Sequence, residues 1–197
     1  MSIDLFPSDI AFLLYSIAIG SWLLGEIIGG KILPKRRRAG SPLQKQIHGL
    51  RVPLVIEWLV VFSVSYDLAI FGVAMLPGWV CYIGIALIFF GIAFRHWAIL
   101  ILGRFFSDDI GIQPGQKVVD NGPYRLIRHP SYTGILIIQL GIGLAVQSLA
   151  AMIIIVIAFG LVFGHRIAVE EKLLVSELGE SYVAYMNRTK RLIPFLI

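Results

Sequence analysis

The sequence predicts an all-α integral membrane protein: five transmembrane helices bundled into one domain over residues 1–197, with a polar cytoplasmic cofactor site. Three observations carry this expectation. Hydrophobic residues make up 57% of the chain and charged residues 15%, against about 25% charged in a soluble globular protein. The apolar residues fall into long runs separated by polar stretches or tight turns. The seventeen Lys and Arg residues sort into segments that a five-span chain places on one side of the membrane.

The elements follow in order. Residues 1–9 contain Asp4 and Asp9 and no base, unlike a secretory signal, so the first apolar run is expected to remain as a span. Residues 10–30 are long enough to cross as the first helix, with Glu26 near its end. Residues 31–51 are polar and carry seven Lys or Arg. Their core, Lys35-Arg36-Arg37-Arg38, reads as a topology signal at the headgroups rather than a nucleic-acid patch. Residues 52–76 predict the second helix, with Glu57 and Asp67 inside it. These acids are costly toward lipid. Arg95, Arg51, backbone donors and the membrane interfaces are all open as their partners.

Pro77-Gly78 predicts a turn. Residues 79–102 predict the third helix, whose last third holds Arg95, His96 and Trp97. A long polar loop occupies 103–130. Residues 131–147 predict a fourth helix, short for a full crossing, and Gln147-Ser148 a tight turn. Residues 149–165 begin the fifth helix, expected to continue as a polar extension to about Glu180. The remaining residues read as a C-terminal tail, with no cysteine at the end for prenylation.

The bases fall in the 31–51 loop, at Arg95, in the 103–130 loop and after residue 165. The N-terminus and the turns at 76–79 and 147–148 have none. The positive-inside rule then predicts an outside N-terminus and a cytoplasmic C-terminus. The same topology puts the 103–134 and 166–191 segments on one face. They flank the fourth and fifth helices, which a two-residue turn makes antiparallel neighbours, so the two polar clusters are expected to meet.

Several function classes are excluded or weakened. A lone cysteine, Cys81, makes no intrachain disulfide and no cysteine metal cluster. His48, His96, His129 and His165 show no metal-ligand spacing, so no metal is expected. There is no phosphate-cradling GxxxxGK[ST], and Gly141-x-Gly143 inside an apolar helix is not a dinucleotide fingerprint. Gly25-x-x-x-Gly29 and Gly160-x-x-x-Gly164 suit close helix packing, more readily within the bundle than between copies.

The stretch with most chemistry is 122–134, GPYRLIRHPSYTG. Its Gly and Pro residues predict two turns around a short helical piece, with Pro130 near the first turn of the next helix. Arg166 and Glu170, four apart on one helical face, follow seventeen apolar residues and emerge at the membrane boundary, with Glu171 beside them. Ionisable groups there are functional candidates, weighed against an exposed ion pair of about 0.3–0.5 kcal/mol. For Arg95 the alternative is snorkelling to the headgroups.

Gly122-Pro123-Tyr124-Arg125, Arg128-His129-Pro130-Ser131-Tyr132-x-Gly134, Arg166-x-x-x-Glu170-Glu171, Tyr182-x-x-Tyr185 and Arg191-Leu192-Ile193-Pro194-Phe195 occur in that order. Together they resemble the isoprenylcysteine carboxyl methyltransferases and their phospholipid methyltransferase relatives. Arg95-x-Trp97 and Leu102-Gly103-x-x-Phe106 resemble that family's upstream element. The resemblance covers about residues 95–195 and marks this half as the cofactor and catalytic half.

It implies S-adenosyl-L-methionine as methyl donor and S-adenosyl-L-homocysteine as product. Carried over, it implies cofactor binding by Gln116, Lys117, Val118, Val119, Tyr124, His129, Pro130, Ser131, Tyr132 and Glu170. It implies that Arg166 and Glu170 are catalytic and that Arg166 and Arg95 meet the methyl acceptor. The acceptor expected is lipophilic or lipidated, enters from the bilayer and carries an isoprenylcysteine-like carboxylate; membrane lipids are the other partner. Phospholipid amine methylation, an NADPH-dependent membrane reductase and a non-catalytic membrane binding protein are the alternatives.

Overall fold

The computed structural model describes residues 6–32, 51–107 and 110–194. Among these, no strand forms and six α-helices carry the fold. They are α1 (Asp9–Ile32), α2 (Arg51–Ile70), α3 (Val80–Leu102), α4 (Pro130–Ala145), α5 (Leu149–Leu178) and α6 (Glu180–Arg188). Short 3₁₀ turns occupy Gly103–Phe105 and Gly122–Arg125. The first five helices are the five the apolar runs predict. The basic cluster at 35–38 and the Phe195 end of the C-terminal motif lie outside the described residues.

Among the described residues, three helices are long and apolar enough to cross a membrane: Asp9–Glu26 within α1, Val80–Phe105, which runs from α3 into the following 3₁₀ turn, and α5. α4 is a shorter apolar helix. Outward positions such as Phe12, Leu23, Leu100, Ile157 and Leu161 are large, apolar and exposed, as lipid-facing positions are.

The tightest seam is between α3 and α4, and small residues make it. A Cβ at Gly84 would stand 2.3 Å from the Ala145 backbone nitrogen, and one at Gly91 2.9 Å from the Gly134 carbonyl oxygen. One at Gly134 would stand 2.7 Å from the Cβ of Arg95. Ascending positions on α3 therefore meet descending positions on α4, so the pair is antiparallel. Without side chains in the way the two backbones come into contact.

A Cβ at Gly160 or Gly164 of α5 would meet nothing within 4 Å. The expectation that this pair serves packing within the bundle is corrected: the pair lies on an open face, and spacing alone does not say which face of a helix is covered. Gly25 does sit close to a neighbour: a Cβ there would stand 2.9 Å from Nε2 of His96.

α1 packs one face, Ala11, Tyr15, Ala18 and Trp22, against Cys81, Ile85 and Ile88 of α3 and Ile138 and Ile142 of α4. These α1 positions recur every three or four residues, the period of a helix stripe. Trp22 stacks on Trp58 of α2 with centroids 4.2 Å apart. Ile135, Phe159 and Phe163 form a second cluster with Leu54, Trp58 and Tyr132 packed against it. Of the partners open to Glu57, Arg95 is engaged by Glu26 and Ser131 instead, and the Arg51 side chain lies outside those described. Glu57 accepts from Gln139 Nε2 of α4 at 2.6 Å.

α2 stops at Ile70, six residues before the sequence suggested. Phe71, Val73 and Met75 prolong the apolar run, yet Gly72 takes φ +67° and turns the chain. The freed backbone then pairs with the α4–α5 turn. Leu76 N–H donates to Gln147 O at 2.7 Å, Leu149 N–H to Ala74 O at 3.0 Å, and the Ser148 hydroxyl to Val73 O at 3.0 Å. The two base-free turns thus meet at one end of the bundle.

At the other end the polar segments gather. Gly179, at φ +59°, ends α5 and lets α6 turn back, where a plain tail was expected. Arg128 N–H then donates to Lys190 O, His129 N–H to Arg191 O, and Lys190 N–H to Leu126 O. Tyr185 Oη donates to Tyr124 O at 2.8 Å. The loop before α4 and the chain after α5 are joined, as the topology argument required.

Candidate functional site

The RHPSY stretch is built at a helix start. His129 precedes α4 outside the helical region (φ −123°, ψ 56°), and Pro130 takes the first helical position, where its missing N–H costs nothing. The next residues therefore rise from the N-terminus of α4 at 100° intervals. Ser131 turns toward α3, and Tyr132 toward α5.

The Tyr132 hydroxyl joins the two charges of α5. Arg166 Nε donates to it at 2.9 Å, and it donates to Glu170 Oε2 at 2.6 Å. The sequence placed Arg166 and Glu170 on one helical face; the structure shows a phenol bridging them. Arg166 is 4% exposed, not a surface pair. The His129 ring stacks on Tyr132, 6° from parallel, and Phe163 meets Tyr132 edge-on.

The adjacent acids take separate jobs. Glu170 faces the cavity described below. Glu171 turns inward and collects three cationic or donor groups: Arg128 Nε at 2.7 Å, Arg191 Nε at 3.0 Å and His129 Nε2 at 3.4 Å. Arg128 also donates to the carbonyls of Met186 and Thr189. This network fastens α5, the loop and the C-terminal strand of chain around His129. Arg128, Glu171, Tyr182 and Tyr185 stood in the motifs without a site role, and their burial now gives one: they form the frame.

Burial pushes the Tyr124 phenol well above its ordinary range, and the charge of Glu170 adds to this. Burial does the same for Tyr182, reinforced by Glu171 and Glu170, and for Tyr185. These phenols remain protonated hydrogen-bond donors at neutral pH.

Arg95 does not snorkel. It is 6% exposed, and its guanidinium grips Glu26 of α1 through Nε at 2.7 Å and Nη2 at 3.1 Å. Its Nη1 donates to Ser131 Oγ at 2.5 Å.

Most of these groups, Glu171 and Arg191 excepted, line one cavity of about 920 Å³. Every site residue the sequence nominated lines it except Pro130, which is buried at the start of α4. Gln116, Lys117, Val118 and Val119 contribute an irregular stretch of chain, entered through a turn in which Gln116 Oε1 accepts from Gln113 N–H. Trp22 from α1, Leu54, Val55 and Trp58 from α2, Ile135 from α4 and Phe163 from α5 add an apolar lining. Sequence reasoning missed the α1 and α2 contributors. Their one visible signal was Glu26, an acid near the end of an apolar span.

A lipid-facing helix bundle whose cavity is lined by both charged and apolar side chains defines a helical integral membrane protein with a pocket suited to ligands of mixed polarity. Residues 83–176 match the model of the isoprenylcysteine carboxyl methyltransferase (ICMT) family, so the likeness read from the motifs holds across this segment. The chain is 32% identical to protein-S-isoprenylcysteine O-methyltransferase B of Arabidopsis thaliana over 120 residues, 60% of this chain and 61% of the relative. It is 28% identical to the Saccharomyces cerevisiae protein-S-isoprenylcysteine O-methyltransferase over 72% of this chain and 60% of that one. The chain thus spans about three fifths of the length of these relatives. Its fold is similar to that of a eukaryotic intramembrane Ras methyltransferase, ICMT, with TM-score 0.67 and 22% identity over 94% of this chain and 66% of that one.

Proposed function

We propose that this protein transfers a methyl group from S-adenosyl-L-methionine to the carboxylate of a lipophilic, isoprenylcysteine-like acceptor. The observation that carries the reading is the Arg166–Tyr132–Glu170 bridge, in a cavity that Trp22, Leu54, Trp58 and Phe163 also line. The family likeness over residues 83–176 supports the same chemistry.

The residues present fit the donor. Glu170 offers an accessible carboxylate to hydroxyl or ammonium groups, and the 116–119 stretch offers backbone and side-chain groups beside Tyr124 and His129. When bound, the donor supplies an electrophilic sulfonium methyl: the acceptor O–C bond forms as the S–C bond breaks, and no proton moves. The protein's task is then alignment and exclusion of water. Arg166 orients the acceptor carboxylate with a planar pair of donors. Tyr132 fixes the Arg166 plane by accepting from Nε and holds Glu170 at a set distance. A carboxylate is already ionised at neutral pH, so no general base is required.

The acceptor tail lies along Trp22, Leu54, Trp58 and Phe163, reached from the bilayer. The chain crosses five times, with the N-terminus outside and the site at the cytoplasmic end. The meeting of the two base-free turns at the opposite end supports this arrangement.

The test is calorimetry of S-adenosyl-L-methionine and S-adenosyl-L-homocysteine binding to the detergent-purified protein. Micromolar binding that weakens in Glu170→Ala is expected, followed by formation of a base-labile methyl ester on a prenylcysteine analogue. No binding, or binding of NADPH instead, would sink the reading.

A further inference from the structure

We propose that Glu26 on α1 is a positioning residue that sets the Ser131 hydroxyl through Arg95, so that the first helix takes part in the site. The proposal rests on the methyltransferase reading for the ligand that Ser131 meets.

Three facts carry it. The Arg95 backbone is pinned to α4, because Gly134 lets the two chains touch: a Cβ there would stand 3.0 Å from both Arg95 Cα and Arg95 N. The side chain is the remaining freedom, and Glu26 removes it. One carboxylate takes both Nε and Nη2, a two-point contact that fixes the guanidinium plane. The remaining nitrogen, Nη1, then falls on Ser131 Oγ at 2.5 Å.

The consequence is directional. Ser131 accepts from a cation, which turns its own O–H away from Arg95 and strengthens it as a donor. Ser131, Arg95 and Glu26 all line the cavity. The Glu26 side chain is 34% exposed and that of Arg95 7%, so the relay runs from a partly exposed carboxylate through a buried guanidinium to the Ser131 hydroxyl. The group it serves is an anionic or carbonyl oxygen of the bound methyl donor or its product.

An ion pair that merely staples α1 to α3 would place the same atoms together, so the test must separate stapling from transmission. S-adenosyl-L-homocysteine affinity is measured by calorimetry for the full chain in detergent, as wild type, Glu26→Gln, Ser131→Ala and the double variant. Glu26→Gln is expected to weaken binding about fivefold when Ser131 is present and less than about 1.5-fold when it is absent. Arg95→Lys, which keeps the charge and loses the fork, is expected to match Glu26→Gln. An equal cost of Glu26→Gln in both backgrounds is what a staple gives, and it overturns the proposal.

The same four proteins are also melted without ligand. The relay requires that the Tm shifts of Glu26→Gln and Ser131→Ala fall short of additive; additive shifts overturn it. If the wild type binds no S-adenosyl-L-homocysteine, the methyltransferase reading fails, and the ligand-free melting cycle still decides whether the relay exists.

Discussion

The two halves of this protein are held together by different physics. In α3 and α4 the seam is backbone against backbone, with Gly84, Gly91, Gly134 and Gly141 leaving no room for a Cβ. The polar groups that follow, from His129 to Tyr185, are tied by charge-assisted hydrogen bonds. In α1 and α2 the packing is ring against ring, Trp22 on Trp58 and Trp58 near Phe62, with Tyr15 edge-on to Tyr66. Close backbone contact tolerates almost no substitution, whereas stacked rings admit other apolar shapes. The first arrangement suits a site whose atoms must not move. The second suits a surface that receives an apolar tail. Glu26 and Arg95 are the place where the two arrangements touch.

The comparison breaks most readily at the seam. Gly84→Leu drives a side chain into the Gly141 and Ala145 backbone, and we expect no folded, monodisperse protein by size-exclusion chromatography in detergent. Arg166→Ala is the next largest effect. It should lower kcat/KM for a carboxylate acceptor by about a hundredfold, with product affinity in calorimetry nearly unchanged. Were cofactor affinity to fall by the same factor, Arg166 would belong to the donor pocket, not to the acceptor.

Trp58→Ala sharpens the contrast from the apolar side. It should raise KM for a prenylated acceptor about tenfold and leave S-adenosyl-L-homocysteine binding intact. An unchanged KM would place the tail elsewhere. The smallest effect belongs to Gly160→Leu. A Cβ built there meets nothing within 4 Å, so Tm should not fall and should rise by the helix-propensity gain of about 0.5–1 kcal/mol. A large loss there would mean that a second copy or another helix covers this face of α5.

Much of the site was legible in the sequence because its residues cluster along the chain. The stretch 122–134 announces itself by Gly and Pro punctuation, and Arg166 with Glu170 by helical spacing. The separation of Glu170 from Glu171 was not legible. Two adjacent acids on a helix point about 100° apart, and only the packing of α5 says which direction is cavity and which is frame. The end of α2 was misread because Phe71, Val73 and Met75 carry the hydropathy of a span while Gly72 turns the chain. α6 was passed over because its buried face is little more than Tyr182 and Tyr185.

By itself the sequence determined that this is a helical membrane protein. It also set the order of the five apolar helices and the meeting of the charged segments before α4 and after residue 165. Those properties depend on composition and spacing along one dimension, and the cost of placing charge in lipid enforces them. Only the tertiary structure decided that α1 and α2 wall the cavity, that Tyr132 bridges Arg166 to Glu170, and that Arg95 is held by Glu26. Each of these joins residues between 34 and 69 positions apart, through contacts whose geometry is set by which helix faces meet.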